Sequence, residues 1–180
     1  MVALTGVACS SFTITVLSAA LATIATDLNS SVSVITWVIA GPLLAFAVFT
    51  PMAGKLGDLY GHRRMYLIGF AGAAVFSLLT SFATSAFMLI AVRVIAQGFA
   101  ASTGPSALAI MMSVFPEDRR TRVAGTWSAV LAAAPAIGVA VGGPLIEATS
   151  WRVLFVIQGS GMAVALSLIH ISEPTRQKPI

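Results

Sequence analysis

Ionised side chains are scarce in this chain, and acidic ones scarcest of all. Only six carboxylates occur, Asp27, Asp58, Glu117, Asp118, Glu147 and Glu173, and none falls in the middle of an apolar run. Charged residues make up 9% of the sequence and hydrophobic ones 58%, where soluble domains carry about 25% and roughly 45–50%. So few charges cannot cover a water-facing surface, which excludes a soluble fold and predicts an integral membrane protein. The single cysteine, Cys9, excludes an internal disulfide and leaves the redox compartment unread. One thiol and two scattered histidines offer no ligand set, so neither a metal nor a cofactor is expected. The net charge of +4 does not point to nucleic acid, because the basic residues sit in short connectors rather than along one face. A signal peptide is not expected either: the first apolar stretch lacks a basic leader and is too long.

What the sequence does have is a succession of apolar runs of membrane-spanning length, about 20 residues each. They cover 4–26, 34–54, 65–83, 86–112 and 123–147, and a sixth begins near Val153. The breaks have physical causes. Asp27–Ser33 is polar and favours a turn followed by a helix N-cap. Lys55–Arg64 is a charged, glycine-rich hinge, Ser81–Ser85 a small polar turn, Pro116–Arg122 a charged connector and Thr149–Arg152 a short interfacial one. The predicted fold is all-α and membrane-embedded, with five transmembrane helices and a truncated sixth.

Counting Lys and Arg in alternate connectors sets the expected orientation. One side carries Lys55, Arg63, Arg64, Arg119, Arg120 and Arg122, the other only Arg152, so the first side and the N-terminus are expected in the cytoplasm. Trp37 and Trp151 would sit at the outer interface and Trp127 near the inner one, where indole is favoured. Ala71–Ala74, Ala132–Ala134 and the Gly138-x-x-x-Gly142 spacing point to closely packed helices.

The hinge reads Gly54-Lys-Leu56-Gly57-Asp58-Leu-Tyr-Gly61-His62-Arg63-Arg64. Gly54 and Gly57 end span two, where a missing Cβ permits close packing, and Gly61 can take positive φ for a sharp reversal. Asp58 can accept from a helix start or pair with Arg63 or Arg64. A generic cytoplasmic loop also contains Arg, Gly and Asp, but here eight positions fit one pattern. The string resembles the signature between helices two and three of the major facilitator superfamily, G-x-L-x-D-x-x-G-R-R/K, with His62 where Arg is usual and Leu59 where Arg is common. The resemblance runs from about residue 12 to 162 and is nearest the drug–proton antiporter branch, often built with fourteen helices. It implies that Asp58 and Arg63, within the motif Gly54, Leu56, Asp58, Gly61, Arg63 and Arg64, belong to a cytoplasmic gate that changes contacts during alternating access.

Arg93 falls about seven residues inside span four, where a charge costs about 2.5–3.5 kcal/mol on insertion scales and is functional by default. The plain alternative is a side chain snorkelling to the headgroups. Leu89-x-x-x-Arg93 resembles the family's helix-four motif, which implies a part in proton coupling for Arg93. The following Gln97-Gly98 comes one residue late for that motif and is not carried over. In span five, Gly125, Gly138, Gly142 and Gly143 fall in register with the family's antiporter motif G-x8-G-x3-G-P-x2-G-G; Ala134 and Val139 replace one Gly and the Pro, with Pro135 and Pro144 nearby. Ordinary helix packing is the competing explanation. Trp151-Arg152-x-x-Phe155 resembles the start of helix six in this branch, and an aromatic belt residue beside one Arg explains it equally well. Related exporters often carry Asp early in helix one, where this chain has Thr13. No mid-membrane group here exchanges protons, so any coupling acid is expected in sequence beyond this chain or departs from the family pattern.

Leu166–Arg176 resembles the in-frame translation of a sequencing-library adapter. The expectation is that 166–180 is not native, that 1–165 is a partial N-terminal helical bundle, and that His170 is no proton relay. The family implies twelve or fourteen helices in two six-helix halves, with substrate bound between repeats near the midplane. The reading is a fragment of a multi-pass plasma-membrane exporter, not an enzyme. Its expected partners are a small amphiphilic substrate, protons, the lipid bilayer and the missing C-terminal half. A metabolite or sugar facilitator is the alternative within transport. A membrane-embedded transferase would need clustered His, Asp, Glu or Cys, and only His62 with Asp58 comes near. A small assembly protein would need the tail to be genuine.

Overall fold

The computed structural model describes Leu17 and residues 20–171, with the backbone alone at 135, 137–148 and 168–171. Cys9, Thr13, most of the 4–26 span and 172–180 lie outside the described residues. The described residues form helices and turns with no strand. The helices are α1 (residues 20–27), α2 (Val32–Ile35), α3 (Trp37–Tyr60), α4 (His62–Thr80), α5 (Ala86–Ala100), α6 (Thr103–Val114), α7 (Glu117–Ala148) and α8 (Trp151–Ile171).

Among the described residues, two rods are both long and apolar enough to cross a bilayer: Val32–Tyr60 and Ala86–Val114. Trp151–Ser167 is a shorter apolar helix. The expected total of five spans is therefore established only as far as these two. α4 shows why: its first turn is His62-Arg63-Arg64, which shortens its apolar part.

The polar breaks behave as their side chains dictate. Ser31 caps α2 by accepting from the Val34 amide, and Ser85 caps α5 by accepting from Met88. Asn29 takes φ 47° in the turn before Ser31, a conformation asparagine tolerates. Two charged connectors are corrected. Lys55–Tyr60 is helical, so the hinge shrinks to Gly61 alone, and Glu117–Arg122 forms the first turns of α7, leaving only Phe115 and Pro116 between helices. Acidic Glu117 and Asp118 suit that helix start, where the dipole favours negative charge. Span four, expected as one helix, bends at Ala101–Ser102. Pro105 has no N–H for the Ala101 carbonyl, and the Ser102 and Thr103 hydroxyls donate back to the Phe99 and Ala100 carbonyls at 3.0 and 2.7 Å.

α4 is the central element, packed against α5, α6 and α8, while α3 packs on α5. Its inward stripe, Tyr66, Gly69, Phe70, Ala73, Ala74, Ser77 and Thr80, follows the helical period. Buried side chains gather in two clusters. One joins α1, the start of α3, the α4–α5 turn and the start of α8, with Ile24, Val38, Leu89, Trp151 and Phe155 at its centre. The other joins α4, α6, the start of α7 and the end of α8 through Phe70, Ala107, Trp127 and Met162.

Candidate functional site

α5 buries Leu89, Arg93, Ala96, Gln97 and Ala100, and that spacing puts Arg93 squarely on the inward stripe. The side chain is 6% exposed, so it does not snorkel. Its Nε–H donates to the Val38 carbonyl of α3 at 3.0 Å, and its Cζ lies 4.9 Å from the Phe155 ring centroid of α8. A charge-assisted hydrogen bond contributes about 1.5–3 kcal/mol and a desolvated cation–π contact about 2 kcal/mol. Together these offset the cost of placing a cation there. Gln97, four residues along the same face, and Gln158 on α8 are the buried amides of these two helices.

At the hinge, Gly61 has φ 92°, where any side chain is strained, and its amide donates to the Gly57 carbonyl at 2.9 Å. Asp58 Oδ1 lies 3.1 Å from His62 Nε2, one turn away across the α3–α4 junction. The imidazole packs with its Nδ1 edge against Gly57: a Cβ at that position would run into the His62 ring. The motif's histidine and its middle glycine thus fit each other. A Cβ placed on Gly54 would meet nothing within 4 Å, and the same holds for Gly125, so packing does not require glycine at either place. Leu56, Arg63 and Arg64 are exposed. Gly138, Gly142 and Gly143 lie on α7, where only the backbone is described.

The opposite end carries a group that sequence reasoning read as an aromatic belt. Trp151 is buried, 2% exposed, and its Nε1–H donates to Asp27 Oδ2 at 3.0 Å. Arg152 donates to the same oxygen at 2.6 Å and to the Ala83 carbonyl at 3.3 Å, and its Cζ stacks 4.3 Å from the Trp151 ring centroid. One carboxylate thereby fastens the end of α1 to the start of α8 and the α4–α5 turn. Trp151 is held inside by the cluster it shares with Ile24, Val38, Leu89 and Phe155, whereas Trp37 is 53% exposed. The Asp27 carboxyl is held below its ordinary value of 3.8 by the Arg152 bond first and the Trp151 bond second. Its stabilising effect is therefore full above 3.8 and is lost as pH falls through the lower folded value. Both partners are more than a third exposed, so the pair contributes only about 0.2–1 kcal/mol. Asp27→Asn is expected to lower the thermal midpoint slightly at neutral pH, with the difference from the parent shrinking as acid takes the pH below 3.8, as read by unfolding scans across that range.

The Major Facilitator Superfamily model matches residues 3–180. The chain is 38% identical over 131 residues to a tetracenomycin C resistance and export protein of Streptomyces glaucescens, covering 73% of this chain and 24% of that protein. It is 34% identical over 174 residues to a methylenomycin A resistance protein of Streptomyces coelicolor, covering 94% and 37%. A multidrug efflux pump of Mycolicibacterium smegmatis is 37% identical over 144 residues, covering 79% and 29%. The chain thus spans a quarter to little over a third of the length of these relatives.

Proposed function

The chain belongs to the Major Facilitator Superfamily, and on that premise we propose that it is the N-terminal part of a proton-coupled exporter of small amphiphilic molecules. The observation that carries this is the likeness, over most of the chain, to proteins whose names record resistance and export. The alternating-access cycle needs a pivot and a buried polar point, and the chain offers candidates for both. Gly61 is a one-residue joint between two long helices, with Asp58 and His62 paired across it and Arg63 beside it. In this reading the joint faces the cytoplasm, as does the N-terminus, following the excess of Lys and Arg at that end. Arg93 is the buried cation that lines or couples the pathway, and Gly138, Gly142 and Gly143 shape the face of α7. Substrate binds between this half and sequence not present here. Residues 166–180 are taken as an adapter translation, a reading that sequencing the locus past codon 165 tests.

The test of function uses the complete reading frame in everted membrane vesicles from a host stripped of its own efflux pumps. Energising the vesicles is expected to drive uptake of a fluorescent amphiphilic cation, and collapsing the proton gradient with a potassium–proton exchanger abolishes it. Uptake that continues after collapse would point instead to a facilitator.

A further inference from the structure

A carbonyl inside an α-helix ordinarily accepts from the amide four residues on. For the Val38 carbonyl that residue is Pro42, which is buried within α3 and has no N–H to give. The proline ring also pushes the carbonyl four residues back away from the helix axis. An acceptor is thereby left open on the buried side of a membrane helix, where an unmade hydrogen bond is costly. Arg93 Nε–H, from the neighbouring α5, meets it at 3.0 Å.

The residue before the proline makes the approach possible. Gly41 faces α5, and a Cβ there would stand 3.1 Å from Val94 Cγ2 and 3.7 Å from Ile90 Cγ2. Val94 is the sequence neighbour of Arg93, so the space left by Gly41 sets how near the Arg93 backbone comes to α3. Phe155 then covers the guanidinium from α8 at 4.9 Å.

We propose that Gly41-Pro42 is a positioning device for Arg93. Pro42 opens the Val38 carbonyl, Gly41 admits α5 to it, and the guanidinium is fixed by Nε between α3 and α8, with its two Nη groups left out of that bond. Pro42 touches no substrate in this scheme; it acts through Arg93. That Arg93 matters for transport rests on the proposed function, whereas its placement by Pro42 does not.

The experiment keeps the two separable. Complete transporter is prepared in nanodiscs with arginine labelled at nitrogen, and exchange of the Arg93 Nε proton with solvent is followed by NMR, alongside transport in vesicles. Three forms are compared: the parent, Pro42→Ala, and a form with an α-hydroxy acid at 42, which makes a backbone ester and so lacks N–H without having the ring. Pro42→Ala restores the donor for Val38 and is expected to speed Arg93 exchange and slow transport by about tenfold or more, the worth of a hydrogen bond to a charged group. The ester form is expected to recover both. In an Arg93→Ala background, Pro42→Ala is expected to change transport no further. Unchanged exchange in Pro42→Ala, or an ester form that behaves like alanine, would overturn the proposal. Fast exchange with intact transport would uphold the positioning by Pro42 and remove Arg93 from the transport reading instead.

Discussion

Arg93→Ala in the complete transporter is expected to cut efflux about 10- to 150-fold while the protein still reaches the membrane in normal amounts. The two effects separate because their energies run in opposite directions. Loss of the guanidinium leaves the Val38 carbonyl unpartnered, at a cost of about 1–3 kcal/mol. The same change relieves the helix of a charge that costs about 2.5–3.5 kcal/mol to insert. The contact with Phe155, about 2 kcal/mol, is lost as well, so folding is left near balance or slightly weakened, and a fall in transport per transporter reports on the role of the cation itself. The measurement is initial efflux rate per transporter, with surface amounts matched by immunoblot. Arg93→Lys keeps the charge but not the planar fork that reaches both Val38 and Phe155, and is expected to fall between. Unchanged efflux in the alanine form would remove Arg93 from the mechanism.

The largest effect on stability is expected from Gly69→Val. Gly69 backs onto the bend between α5 and α6, where a Cβ would overlap Ser102 Oγ and stand 2.6 Å from the Phe99 carbonyl oxygen. The hydroxyl could turn away, but the backbone oxygen cannot, and Ser102 would also lose its 3.1 Å bond to the Met65 carbonyl. Overpacking of this kind costs about 1–3 kcal/mol or more. Since α4 is the helix on which α5, α6 and α8 all rest, the damage is not local. Fluorescence-detected gel filtration of the detergent-solubilised protein is expected to show a sharp loss of the monodisperse peak. Gly54→Ala, with open space around it, should leave the peak unchanged and serves as the control. If both variants behave alike, the close approach of α4 to the bend does not hold the bundle together.

Much of the fold was legible because it follows from solvent. Long apolar runs must be helical in a bilayer, and Ser31, Ser85 and Gly61 mark ends in ways that single residues can announce. The connectors were drawn too wide. Polarity alone does not end a helix, so Lys55–Tyr60 and Glu117–Arg122 remain helical until a backbone constraint stops them. The bend in span four had a visible cause in Pro105 with Ser102 and Thr103, but its meaning depends on Gly69, more than thirty residues away in sequence.

The site was legible to a similar depth. The burial of Arg93 could be argued from its period on α5. Its acceptor could not, because the Val38 carbonyl is an absence created by Pro42 rather than a side chain with a name. Likewise Trp151, Arg152 and Asp27 each looked like interface residues; only packing brings the start of α8 and the end of α1 together on one carboxylate oxygen. At the hinge, the histidine standing in place of the usual arginine read as a mild departure. The structure gives it a reason in the ring edge packed against Gly57, which leaves no space for a Cβ.

In the proposed function the hinge end of the bundle faces the cell interior, in a carrier that opens alternately to either side. Cysteine placed at Arg64→Cys, Arg119→Cys or Thr84→Cys, in a complete transporter otherwise free of thiols, tests this directly with a membrane-impermeant maleimide. Intact cells are expected to label Thr84→Cys alone, with Arg64→Cys and Arg119→Cys reacting only in everted vesicles. Labelling of Arg64→Cys and Arg119→Cys from opposite faces would contradict that placement.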